Sequence, residues 1–245
     1  MVNGKICFSK GGKILLTERL NALNEKIADM ASLAKRMVEG AMTSYKNRDK
    51  ELAYKVLHDD ELVMNKLENE NLEEAVKIIA LYQPKATDLR MLIAAILINR
   101  DLERMGDHAQ NIVEYVMRLI ELPERKLTEE IPALSERALY MLNKALESLL
   151  NGDEDLAKRV IVSDIVMNEH TNNVVINIIK NMKEDPTLTE YGIRQVLIAR
   201  NLERIADHAT NIAESVLFVL ESKFYLHRKR DLAKELEYKD TDLLL

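Results

Sequence analysis

Leu20, Leu23, Ile27, Met30, Ala34, Met37 and Ala41 recur at alternating steps of three and four, the seam of a helix packed along its length in a bundle. This predicts a first helix over Thr17 to Lys46, closed by the turn "NRD" at 47–49. A second helix runs to Leu81, and "YQPKATD" turns the chain into a third over Ala86 to Glu121. Pro123 and Pro132 flank a linker. Helices over Ala133 to Leu150, Asp153 to Lys183 and Thr189 to Lys223 follow, broken by "NGD" and by "EDP" at 184–186. "TLTE" at 187–190 has capping-box spacing.

The six helices, the longest of roughly 35 residues and so about 50 Å, group into an all-α fold of two tandem three-helix bundles. An internal repeat relates them. "RDLERMGDHAQNIVE" at 100–114 returns as "RNLERIADHATNIAE" at 200–214, with ten of the fifteen positions identical. The expected organisation is a loose N-terminal segment at 1–16, one bundle at 17–122, a linker at 123–132, a second bundle at 133–223 and a loose tail at 224–245.

Composition agrees: 7 Gly, 4 Pro and no Trp among 245 residues leave helix formers dominant. A net charge of −6 disfavours nucleic acid, although Lys5, Lys10, Lys13 and "HRKR" at 227–230 are local basic spots. The single Cys7 cannot form an internal disulfide, which fits a reducing compartment. The longest apolar run, Met91 to Ile98, is too short to span a bilayer, and no signal-peptide core is recognisable, so a soluble, unexported chain is expected.

The repeat also carries chemistry. Successive helical residues turn by about 100°, so Glu103, Asp107, Asn111 and Glu114 share one sector, opposite the core stripe of Leu102, Met105, Ala109, Ile112 and Val116. Like charges four apart cost about 0.2–0.5 kcal/mol, so Glu-x-x-x-Asp needs a neutralising partner or free exposure. Taken alone, the motif reads as a solvated face screened by Arg100 and Arg104.

Registration favours a shared partner. Glu61-x-x-x-Asn65 lies on the second helix, with Glu68 a turn further on, and Asp164-x-x-x-Asn168 on the fifth. In an antiparallel hairpin turning at Pro84, Glu61 lies level with Asp107 and Asn65 with Glu103. About a turn between Asp185 and Pro186, Asp164 lies level with Asp207 and Asn168 with Glu203. Such oxygen-only sets suit iron, manganese, magnesium or calcium, and zinc less comfortably.

His108 and His208 border the core stripe and read as structural hydrogen-bonding residues, while Gly106 and Ala206 read as close-approach positions. A carboxylate-bridged di-metal oxidase would show Glu-x-x-His, whereas here each His follows its Glu by five residues. No catalytic triad, phosphate-cradling Gly-rich loop or Cys cluster is recognisable, so an enzyme is not expected; a metal-free helical scaffold is the other alternative.

"LERMGDHAQNIVE", "LERIADHATNIAE", "LYQPKATDLR" at 81–90 and the two "VMN" segments resemble the PhoU family, over about Leu20 to Lys223. The resemblance implies a non-enzymatic cytoplasmic regulator that restrains phosphate uptake and phosphate-starvation signalling. Its implied partners are the ATPase subunit of a phosphate ABC transporter and a sensor histidine kinase, with a homodimer as a further expected assembly. The resemblance also implies metal clusters, iron foremost, on Glu61, Glu103, Asp107, Asp164, Glu203 and Asp207. Asn65 and Asn168 stand where that pattern would place a second acid, which lowers the negative charge of each site.

Overall fold

The structure, a computed structural model, describes residues 10–125, 128, 130–223, 225 and 229–236, the side chains of 10–13 excepted. Residues 1–9 with Lys5 and Cys7, His227 and Arg228, and 237–245 lie outside the described residues.

Helix α1 spans Lys10–Asn47. Helix α2 (Lys50–Lys55) passes through a π turn (Val56–Asp60) into α3 (Glu61–Tyr82). Then come α4 (Thr87–Glu121), α5 (Glu130–Asn151), α6 (Glu154–Glu184), a 3-10 turn (Pro186–Leu188), α7 (Thr189–Glu221) and the short α8 (Lys229–Glu235). Among the described residues there is no strand. The expected seam of α1 is buried throughout, from Leu20 to Ala41.

Matching caps start the second helix of each half. Asp49 accepts from the Leu52 amide and Asp153 from the Leu156 amide, both at 2.9 Å. The residue before each cap is left-handed, Gly152 at φ 62° and Arg48 at φ 54°. Glycine adopts this conformation freely; for Arg48 it costs about 1–2 kcal/mol. The guanidinium offsets that cost. Arg48 Nη2 donates to the carbonyls of Leu119, Ile120 and Leu122 at 3.0, 2.9 and 2.8 Å, closing the C-terminus of α4.

The entry to α7 differs from the capping box expected at "TLTE". Asp185 accepts from the Thr187 amide at 3.0 Å and from its hydroxyl at 2.6 Å, and the helix proper begins at Thr189. An Asx turn thus holds the Thr187 hydroxyl that would have capped the helix.

Two boundaries also differ from expectation. Helix α1 begins at Lys10, inside the segment expected to be loose, and Leu16 packs on a small cluster of Leu20, Leu23, Ala75, Ile78, Leu92 and Ala95. Helix α5 begins at Glu130, because Pro132 falls in its first turn, where a missing N–H breaks no helical bond.

Helices α1, α3 and α4 form one three-helix bundle and α5, α6 and α7 the other, as the repeat predicts. They do not keep separate cores. Helix α4 packs along α7, and one cluster runs from Ile27 through Met105 and Ile112 to Ile205, Val216 and Leu232. Adjacent buried positions such as Ile112 and Val113, or Ala199 beside Ile198, put two faces of α4 and α7 in contact with neighbours. Buried Gln195 ties the halves further, donating to Tyr45 Oη at 2.8 Å and accepting from Thr128 Oγ1 at 3.0 Å.

Candidate metal centre

Asn99 sets the level at which α3 passes α4. Its amide donates to the Glu68 carbonyl and accepts from Asn71 Nδ2, both at 3.0 Å. At Gly106 an added Cβ would lie 3.3 Å from Met64 Cγ, so the glycine admits the neighbouring helix. These contacts place α3 against α4 at the level that a turn at Pro84 requires.

Glu103 is mostly covered, with its side chain 16% exposed. Burial, then Asp107 and Glu68, push its carboxyl up to about 7. Arg104 opposes this, 3.5 Å from Glu103 and 3.1 Å from Asp107. Glu61 and Asn65 are half-buried on α3. Among the described residues no side-chain hydrogen bond or ion pair joins Glu61 to Asp107; Arg104 holds Asp107 instead.

In the second half the expected pair does face across its hairpin. Asp164 is fully buried on α6. Asn168 donates to its Oδ2 at 2.9 Å, and the Lys229 ammonium lies 2.6 Å from that oxygen and 3.7 Å from Asp207 Oδ1. One ammonium thus spans both carboxylates. Burial raises the Asp164 carboxyl above its ordinary range; Lys229 works against this and Asp207 with it. Asp164 Oδ1 is buried with no hydrogen-bond partner. Arg204 lies 3.3 Å from Asp207 Oδ2, and Arg200 holds Glu203 at 2.9 Å. Among the described residues no three His, Cys, Asp or Glu side chains converge closely enough to hold an ion together; basic side chains pair with the acids instead.

Both histidines are committed to the α4–α7 seam. Their ring centroids lie 5.4 Å apart. His108 Nδ1 meets Asn201 Oδ1 at 2.9 Å and His208 Nδ1 meets Asp101 Oδ1 at 2.8 Å. Asp101 and Asn201 hold equivalent places in the repeat, so the seam carries one acid rather than two. Burial lowers the His108 pKa, the hydrogen bond to Asn201 opposes this and His208 reinforces it.

The family model for the PhoU domain matches residues 27–116 and 131–216, one match per repeat. The chain belongs to the PhoU family. It is 32% identical over 211 residues to a phosphate-specific transport system accessory protein PhoU homolog of Burkholderia sp., covering 85% of this chain and 89% of that one. The Aquifex aeolicus protein of the same description is 34% identical over 213 residues, covering 87% and 96%. The crystal structure of PhoU from Pseudomonas aeruginosa superposes with a TM-score of 0.81 at 29% identity, covering 84% of this chain and 99% of that one. The PhoU domain matches end at 216, before Lys229.

Four residues around the acids escaped the sequence reading of these PhoU repeats as site residues: Glu68, Asp101, Glu214 and Lys229. Burial pushes the Glu214 carboxyl up to about 7, Lys229 resists, and Asp101 and Asp164 add to the rise. Asp101 could have been found as a position where the two repeats differ in charge. Lys229 had only the signal of a basic run, "HRKR", in a segment expected to be loose.

The raised Glu103 carboxyl has a measurable sign. Its ordinary value of 4.5 becomes about 7 in the fold, so folding takes up a proton between those values. The contribution to stability is present below pH 4.5 and is lost as pH rises through 7. With metal chelated at pH 8, Glu103→Gln should therefore be more stable than the parent by about 1 kcal/mol, after allowance for solvent screening. The gap should close near pH 4. Denaturant unfolding at both pH values checks this, and an equal difference at the two would rule it out.

Proposed function

We propose that this chain is a regulatory accessory protein of a phosphate-specific transport system, acting by binding partners rather than by catalysis. The observation that carries the reading is the similarity, over most of the length of both chains, to proteins described as phosphate-specific transport system accessory protein PhoU homologs. The hydrogen bonds of His108 to Asn201 and of His208 to Asp101 support the non-enzymatic reading, since both imidazoles serve the α4–α7 seam. No described helix is long and apolar enough to cross a membrane, which fits an accessory role beside the transporter in the cytoplasm. The transporter's ATPase subunit and a sensor kinase are the partners proposed.

Metal binding is the second part of the proposal. The donor set fits a hard cation in kind: carboxylate and amide oxygens, with Asp164 Oδ1 buried and lacking a hydrogen-bond partner. Glu103 and Asp107, with Glu61, Asn65 and Glu68 on the facing helix, would hold an ion in the first half. Asp164 and Asp207, with Asn168 and Glu203, would hold one in the second. A bound cation supplies positive charge that lets level carboxylates ionise together, and so stiffens each hairpin. In the first half the protein's own share is to hold α3 against α4 through Asn99.

Deleting the gene in its native cell should derepress phosphate-responsive genes at high phosphate, and restoring it should silence them again. Unchanged expression of those genes, in cells shown to make the protein, would reject the regulatory reading.

A further inference from the structure

Helix α8 is held down by apolar packing centred on Leu232, with Ala233 and Leu236 beside it, and by the charge of Lys229. Leu232 is fully buried in the common core, and Lys229 reaches between α6 and α7 to Asp164 and Asp207. Tyr225, itself buried, donates its hydroxyl to Glu221 at the end of α7. Glu214 also feels the ammonium. Lys229 therefore puts a positive charge where the two level carboxylates of the second hairpin face each other. Among the described residues no cation from another element reaches the first-half acids: Glu103 and Asp107 share Arg104, an exposed residue of their own helix.

We propose that Lys229 is a tethered cation occupying the metal position of the second acidic site, so that a divalent ion enters there only when α8 is displaced. The inference rests on the metal reading given above. Its chemistry is competition between one charge and two. An ammonium supplies three donors and a single charge; it satisfies Asp164 Oδ2 and approaches Asp207, but it leaves Asp164 Oδ1 buried and unpartnered. A divalent ion can take both carboxylates and that spare oxygen together. Metal and α8 then exclude one another at the second hairpin, and metal binding is coupled to release of residues 229–236 in that half alone.

The test uses full-length protein, manganese(II) as the probe, and Glu103→Ala/Asp107→Ala as the background that isolates the second half. In that background manganese should raise amide hydrogen exchange across 229–236. Adding Lys229→Met should tighten manganese binding about tenfold if the closed tail leaves about a tenth of the molecules open. Leu232→Ala changes no charge, yet it loosens α8 and should act in the same direction, while Lys229→Arg should bind manganese no more tightly than the parent. If manganese fills the second half without changing exchange at 229–236, or if Lys229→Met binds it no better, the inference fails and the metal reading stands. If manganese binds neither half of the otherwise unaltered protein nor of Lys229→Met, the metal reading fails and takes the inference with it.

Discussion

Changing Glu103 and Asp107 together to Ala is expected to remove at least half of the metal that the protein retains when purified without added metal. Both side chains lie on the repeated acid stripe of α4, and both belong to the first half, where among the described residues the exposed Arg104 is the one cation paired with them. The second half keeps Asp164, Asp207, Asn168 and Glu203 untouched, so its share should survive the substitution. That share should be the smaller one, because Lys229 already neutralises the pair it would use. Elemental analysis of parent and variant reads the result directly. Full retention of metal by the variant would show that the first-half acids are a solvated face. The fold should not suffer: removing two neighbouring carboxylates, one of them pushed up to about 7, relieves repulsion in the metal-free state.

Arg48→Ala should cost about 2–4 kcal/mol, among the larger effects of a single residue outside the apolar core. Three carbonyls at the end of α4 lose a charged donor at once, and they are partly shielded from water. The alanine also retains a side chain at φ 54° and so keeps the left-handed strain that the guanidinium had offset. Arg48→Gly separates the two contributions. It loses the same cap but relieves the strain, and should be more stable than the alanine variant by about 1 kcal/mol. Thermal or denaturant unfolding measures both. An alanine variant within about 0.5 kcal/mol of the parent would mean that water replaces the guanidinium without loss.

The helices and their pairing level were legible because each rests on a local rule. Leu20 to Ala41 carry the three-and-four seam that burial follows, and symmetry about the second turn put Asp164 opposite Asp207, where one ammonium now spans them. The shared core was not legible, because an apolar stripe says that a face is covered but not by what. The buried neighbours Ile112 and Val113 widen the stripe of α4 enough to require a second partner; that width was the signal, and α7 is the partner. Glu61, expected level with Asp107, is half-buried on α3, and Asp107 is ion-paired with Arg104 of its own helix, a partner the spacing of the acids does not reveal. Lys229 was beyond reach for another reason: a seven-residue helix offers too few turns for periodicity to reveal what it docks on.

The continuous core across α4 and α7 bears on the history that a doubled sequence records. A repeat whose copies each close over their own interior can lose one copy and leave the other intact. Here the broad apolar faces of α4 and α7 are each other's cover, so neither copy could be discarded without exposing the other's interior to water. The doubling is in that sense irreversible: each half has become part of the other's inheritance, and what has diverged is the polar detail between them, where Asp101 has parted from Asn201 and, among the described residues, the second half has acquired a lysine from the tail.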